Sequence, residues 1–276
     1  MWWDKDPSKT NLWATVSTND FDSKLEIPNG KDPNQNAWLT LTVRYALNFL
    51  DSRSSSGDVI VRKDGKCYAK DSDGTLFPVL DWDFKSQQTF NKRFLKGENI
   101  WNHKFLLLTP RDYSKLDFTS FAGSGWVCRP NVLCLFRLES YAAKAHRTIS
   151  VVRVESKSFR SNAVLYKEGD VLTKTLGHEL GHALSMLHIQ ALKGNQACVV
   201  SPNDDPCYDG DTPEENENIA AHGDKLSTLN AITWQECMGA HTETAHTSWH
   251  STMAVSTPPR KMPLGFQVRN VMPARF

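Results

Sequence analysis

An α+β or α/β layout, a twisted mixed sheet carrying one central helix, is predicted from three observations on this 276-residue chain. Three short apolar stretches with β-branched residues, at 104–109, 131–138 and 148–154, are separated by connections bearing Gly, Ser and Pro, and read as strands of one sheet. Directly after them, residues 171–187 place apolar side chains at helical spacing. Hydrophobic residues make up 39% of the chain, which is enough for a real core and excludes disorder throughout.

Taken in order, residues 1–35 are polar, rich in Asn, Asp, Pro and Lys, and read as an irregular N-terminal arm in which Trp2 and Trp3 can cover an accessory surface. Beyond them Leu39, Val43, Ala46, Leu47 and Leu50 recur at helical spacing after Asp32-Pro33-Asn34, so residues 36–50 are expected to form an amphipathic helix, followed by a Ser-rich loop at 52–57. Val59-Ile60-Val61, Asp64-Gly65 and Cys67-Tyr68 read as a hairpin with a tight turn. Residues 71–100 support no single assignment. Residues 229–241 read as a late helix, and 251–276, with Pro258, Pro259, Pro263 and Pro273, as an extended tail. No shift in composition marks a boundary between 36 and 250, which is expected to be one domain.

Composition narrows the function. With 32 Lys+Arg against 31 Asp+Glu the net charge is +1, so no broad field draws the chain to nucleic acid or an anionic membrane. No apolar run approaches the roughly 20 residues of a bilayer span. The N-terminus lacks a basic stretch followed by an apolar one, so a secretory signal is expected to be absent or already removed, and export by another route stays open. No Gly-rich phosphate loop, Ser nucleophile elbow or RNA-binding aromatic signature is present. Six cysteines occur without a CxxC pair. Cys198 and Cys207 bracket the turn-forming run Ser201-Pro202-Asn203-Asp204-Asp205-Pro206, which a disulfide can pin; the alternative is six reduced thiols.

The chemistry concentrates in Thr175-Leu176-Gly177-His178-Glu179-Leu180-Gly181-His182-Ala183-Leu184-Ser185-Met186-Leu187-His188, which contains HExxH. On a helix His178 and His182 lie about 40° apart, so both imidazoles reach one zinc ion from the same face. Glu179 then stands beside the metal, placed to accept a proton from a bound water whose pKa the metal lowers to about 7. Leu172, Leu176, Leu180, Ala183 and Leu187 cluster within about 80°, and the histidine pair is centred about 140° from them. The leucines are therefore expected against the sheet and the histidines toward a cleft.

His188 follows His178 by ten residues, the offset of the third ligand in HExxHxxGxxH. In an unbroken helix it would point about 100° away from the other two. Ligation by His188 therefore demands a sharp turn, and Ser185, standing where that pattern has Gly, must take a left-handed or strained conformation at about 1 kcal/mol. The alternative is a continuing helix with an acidic ligand from Asp204, Asp205, Asp209, Asp211, Glu214, Glu215 or Glu217.

Through His178-Glu179-x-x-His182 and His188, and through the order of sheet before helix, the chain resembles the metzincin clan of zinc metallopeptidases. The motif covers some 11 residues and the layout residues 36–242. The resemblance implies a zincin-like fold, Zn2+ held by His178, His182 and His188, and peptide-bond hydrolysis with Glu179 as general base. It also implies a tight turn beneath the zinc. Asn218-Ile219-Ala220-Ala221-His222-Gly223 looks like that turn with Ala220 in the usual Met position, and Met238 is the alternative. His222 beside it can donate to an oxyanion. A looser similarity, from Asn218 through Trp234 to Thr242, is to metallopeptidase domains of bacterial type VI secretion effectors, including VgrG-type spike proteins. That likeness implies an injected toxin acting in a target cell's periplasm, with a protein or peptide substrate and an immunity protein or secretion spike as partner.

Other histidines and tyrosines weigh less. His241, His246 and His250 crowd together without a carboxylate placed as a base, and read as a polar segment. Tyr166 and Tyr208 can stabilise an oxyanion, although nothing in the sequence sets either near the metal. A zinc that merely staples a binding or toxin module, or an amidase acting on peptidoglycan peptides, are the competing functions.

Overall fold

The computed structural model describes residues 14–26, 36–110, 113, 118–120, 126–129, 131–156, 158–202, 204–254 and 270–273, with backbone only for 118–120, 126–129 and 270–273. In chain order the strands are β1 (Val16–Ser17), β2 (Asp22–Glu26), β3 (Ala37–Leu50), β4 (Ile60–Lys63), β5 (Lys66–Lys70), β6 (Leu76–Leu80), β7 (Phe105–Leu108), β8 (Phe118–Ser120), β9 (Trp126–Arg129), β10 (Val132–Ser140), β11 (Arg147–Val154), β12 (Leu165–Lys167), β13 (His250–Met253) and β14 (Asn270–Pro273). The helices are α1 (Phe84–Leu95), α2 (Glu98–Trp101), α3 (Lys174–Ala183), α4 (Ile189–Leu192), α5 (Gln196–Val200), α6 (Pro213–Asn216) and α7 (Ile232–Thr242). The fold is α+β with parallel and antiparallel pairing.

The expected helix at 36–50 is instead strand β3. Ala37, Leu39, Leu41, Val43 and Tyr45 are buried, while Trp38 is exposed and Thr42 and Arg44 are half-buried. That is the period of two of a pleated strand. Leu39, Val43, Ala46 and Leu50 fit a helical stripe equally well, but Thr40, Thr42, Val43, Tyr45 and Phe49 are the β-branched and aromatic types that favour a strand. The lead-in before residue 36 also holds strands β1 and β2, in which Ser23 and Leu25 are buried on one face. Trp2 and Trp3 lie outside the described residues, as do Pro258, Pro259 and Pro263. Part of the tail is strand: β13 pairs with β7, and β14 with β9.

Contacts divide the chain into two compact units, one of residues 1–42, 101–137 and 226–276, the other of 43–100 and 138–225. In the first, antiparallel strands β13, β7 and β10 run side by side, with His250 opposite Leu108 and Leu107 opposite Val132. Trp234 of α7 donates through Nε1 to the Leu135 carbonyl at 3.1 Å and packs on Trp101 and Phe105. His241 is buried in this unit with Nε2 2.9 Å from Ser23 Oγ, a polar tie inside the core. Met238 lies in mid-helix α7, so no turn forms there.

The second unit carries the candidate chemistry. Parallel pairing joins β11 to β3, Arg147 opposite Tyr45 through Val152 opposite Leu50, and β11 to β12. Antiparallel pairing continues through β6, β5 and β4. The β4–β5 hairpin turns at Asp64 and Gly65, both at positive φ, as its sequence demands. Helix α1 begins at an Asp83 capping box with Ser86 and buries Phe90 and Phe94 among Tyr45, Phe49, Trp82 and Tyr166.

Candidate metal centre

Thr173 caps α3, its side chain accepting from the Thr175 N–H, so the helix starts later than the sequence stripe and leaves Leu172 64% exposed before the cap. Leu176, Leu180 and Ala183 are buried as expected, and Leu187 is half-buried. Leu176 and Leu180 close over Gly97, where a Cβ would meet Leu180 Cδ1 at 2.5 Å. This seat fixes the rotation of α3 and turns His178 and His182 to the opposite side.

The helix stops at Ala183, two residues before Ser185, as the turn expected there requires. Leu184 is the C-cap, the Ser185 N–H donates to the His182 carbonyl at 2.9 Å, and the Met186 N–H reaches back to the Gly181 carbonyl at 2.9 Å. These are the two bonds of a Schellman motif, with Ser185 in the left-handed position at φ 61°. The chain then reverses, and His188, with φ −69° and ψ 166°, is the N-cap of α4. The option of a continuing helix is thereby excluded.

Three imidazoles converge as a result. Their ring centroids are 4.7 Å (His178 to His182), 5.3 Å (His178 to His188) and 4.6 Å (His182 to His188) apart. The available ligand atoms lie within 4.8 Å of one another, so the three residues can hold a metal ion. Each ring is anchored on its far side by a main-chain carbonyl. His178 Nδ1 is 2.7 Å from the Ile219 oxygen, His182 Nδ1 is 2.8 Å from that of Met186, and His188 Nδ1 meets that of Pro202. A carbonyl oxygen only accepts, so each Nδ1 carries the hydrogen and each Nε2 presents a bare lone pair.

Those lone pairs face one another. His178 Nε2 and His182 Nε2 are 3.1 Å apart, and His188 Nε2 is buried with no partner. A cation at their meeting point relieves the repulsion and the orphaned acceptor together, so the donor set fits a metal that accepts imidazole nitrogen. Burial, the largest cause, and in each case a neighbouring histidine push all three pKa values down to about 4. The rings are therefore neutral at pH 7, the form that ligates.

Glu179 is buried one residue after the first imidazole, and desolvation, followed by the Asp170 carboxylate, raises its pKa to about 8. It lines a cavity of about 380 Å³ with His178, Tyr208, His222, Arg160 and Lys174. Tyr208, which sequence reasoning left unplaced, lies against His188 with ring centroids 3.6 Å apart. Tyr166 is buried against Phe94, its hydroxyl pKa driven up by burial and then by Glu179.

Ala220 does lie in a tight turn beside α3. Its N–H donates to Asn218 Oδ1 at 2.8 Å and its carbonyl accepts from the Ile189 N–H at 3.0 Å. Gly223 is required there, because a Cβ would fall 1.8 Å from the Glu217 oxygen. His222 reaches the cavity wall, but its Nε2 is tied to Asp209 Oδ1 at 3.0 Å and its carbonyl to Lys174 Nζ. Of the acidic residues weighed as ligands, Asp211 and Glu215 pair with Lys193 and Glu217 with Lys225, and none joins the imidazole group. Among the described residues no other set of three His, Cys, Asp or Glu side chains gathers in this way, and His246 and His250 lie in a short turn and in β13.

Cys198 and Cys207 form the expected disulfide. Cys134 and Cys237 are buried thiols and Cys67 is half-buried. No described helix is long and apolar enough to cross a membrane. Compared with family models, with curated proteins and with solved structures, the chain matches none.

Proposed function

We propose that this chain is a zinc metallopeptidase with a zincin-like catalytic unit of metzincin type. The observation that carries the reading is the orphaned Nε2 of His188, buried beside two further bare imidazole nitrogens with a carboxyl one residue from the first of them. His178, His182 and His188 would hold the ion. Zinc bound there supplies a Lewis acid that acidifies water and polarises a carbonyl. Glu179, returned to its carboxylate form by a nearby cation, takes a proton from the attacking water and passes it to the leaving amine. The wall formed by Tyr208, His222 and Lys174 bounds the space for the scissile peptide. The Cys198–Cys207 disulfide supports an oxidising place of action such as a target cell's periplasm; injection as the route and an immunity protein as partner rest on the resemblance alone.

Metal analysis of zinc-replete protein together with digestion of a peptide library tests this. One zinc per chain and cleavage by the wild type are expected. Glu179→Ala should retain the zinc and lose about 10²- to 10⁴-fold in rate. Cleavage by that variant at the wild-type rate, or no zinc at all, overturns the reading.

A further inference from the structure

The three imidazoles are not held alike. His178 and His182 share one helix, whereas His188 stands beyond the chain reversal and depends on a neighbouring loop. The Pro202 carbonyl takes its Nδ1 hydrogen, and the Tyr208 ring covers its face at 3.6 Å with 33° between the planes. Both contacts come from residues 198–208, a segment held internally by local turn hydrogen bonds but with little buried apolar surface of its own apart from the two cysteines. Helix α5 is 5 residues long, Val200 at its end is 82% exposed, and the turn run that follows has only two prolines as apolar side chains, Pro202 half-buried and Pro206 exposed.

Closure of that loop comes from Cys198 and Cys207, whose Cα atoms are 5.4 Å apart. Both cysteines are buried and pack with Ala191 of α4 and with Leu187. Leu187 immediately precedes His188, and Ala191 lies on the helix that His188 caps. The bridge therefore touches the chain on both sides of the ligand as well as tethering the two groups that fix its ring.

The geometry points to the Cys198–Cys207 disulfide as the positioning element of the third metal ligand, so that opening the S–S bond weakens zinc binding without removing any ligand. This rests on reading the histidine trio as a metal site. A dithiol reductant would deliver two electrons and two protons, the S–S bond would part into two thiols, and the reductant would leave as a disulfide. With the loop open, the Nδ1 hydrogen and the ring face of His188 lose their fixed partners, and loss of such outer partners costs about 10- to 100-fold in metal affinity.

The test is competition for Zn2+ against a chromophoric chelator, with wild type, Cys198→Ala/Cys207→Ala, His188→Ala and the triple variant. The cysteine variant should bind zinc about 10- to 100-fold more weakly than wild type. In the His188→Ala background the same cysteine changes should alter affinity by less than about twofold, because the residue they act through is gone. Equal affinity of wild type and cysteine variant overturns the inference, as does the full loss recurring in the His188→Ala background. If the cysteine variant loses the wild-type circular dichroism, Tyr208→Ala and Tyr208→Phe with the bridge intact decide. Weakening of at least about fivefold by Ala and none by Phe supports positioning by the loop, and no effect of Ala overturns it. Wild type that binds no zinc removes the metal site itself, a result distinct from equal binding by wild type and variant.

Discussion

His182 Nδ1 lies 2.8 Å from the Met186 carbonyl, and between the two residues the backbone reverses at Ser185, where φ is 61°. One turn therefore both ends the helix and anchors an imidazole that could ligate a metal. Ser185→Gly, at home in this conformation, should leave zinc affinity within about twofold. Ser185→Val, with a branched Cβ at positive φ, should cost about 1–3 kcal/mol and weaken zinc binding. Thermal melts paired with zinc titration read both.

Gly177 permits the close approach that lets Ile219 hold His178. A Cβ there would meet Ile219 Cδ1 at 2.6 Å and Ile100 Cγ2 at 3.2 Å. Gly177→Ala gains about 1 kcal/mol of helix propensity but overpacks by about 1–3 kcal/mol. The expected outcome is a lower melting temperature and weaker zinc binding. Adding Ile219→Val, which removes the clashing Cδ1, should restore part of both.

Gly223 meets backbone rather than a movable side chain, with a Cβ position 1.8 Å from the Glu217 oxygen. The turn that presents the Ile219 carbonyl cannot close around an added methyl. Gly223→Ala should cost about 3 kcal/mol or more in urea unfolding, a larger loss than Gly177→Ala.

Zinc binding should raise stability by mass action. At a free zinc concentration of 100 times Kd the gain is about 2.7 kcal/mol, roughly 5–10 °C in melting temperature for a chain of this size. Scanning fluorimetry with and without chelator should show that shift in wild type and its near loss in His188→Ala.

Burial drives the thiol pKa values of Cys134 and Cys237 well above the ordinary value, so almost no thiolate is present near neutral pH. Alkylation at pH 8 followed by peptide mapping should label the half-buried Cys67 in native protein, and Cys134 and Cys237 only after unfolding.

What could be read in advance was local. The His178 and His182 pair, the need for a left-handed Ser185, the Asp64-Gly65 hairpin and the Cys198–Cys207 bridge each follow from residues near one another in the chain. Residues 36–50 misled because Leu39, Val43, Ala46 and Leu50 satisfy two periods, and the choice belongs to β11, a partner about a hundred residues away that pairs with β3. Tyr208 against His188 and the carbonyls of Ile219, Met186 and Pro202 carry no signature, since they depend on where the chain passes.

The anchors of all three imidazoles are peptide oxygens, which every amino acid possesses. Point changes at Ile219, Met186 or Pro202 that preserve the backbone trace leave those acceptors in place. One residue inserted or deleted between Ser185 and His188, or between Pro202 and Cys207, would shift an oxygen by a whole peptide unit. Segment length, more than side-chain identity, is what heredity must conserve around this centre.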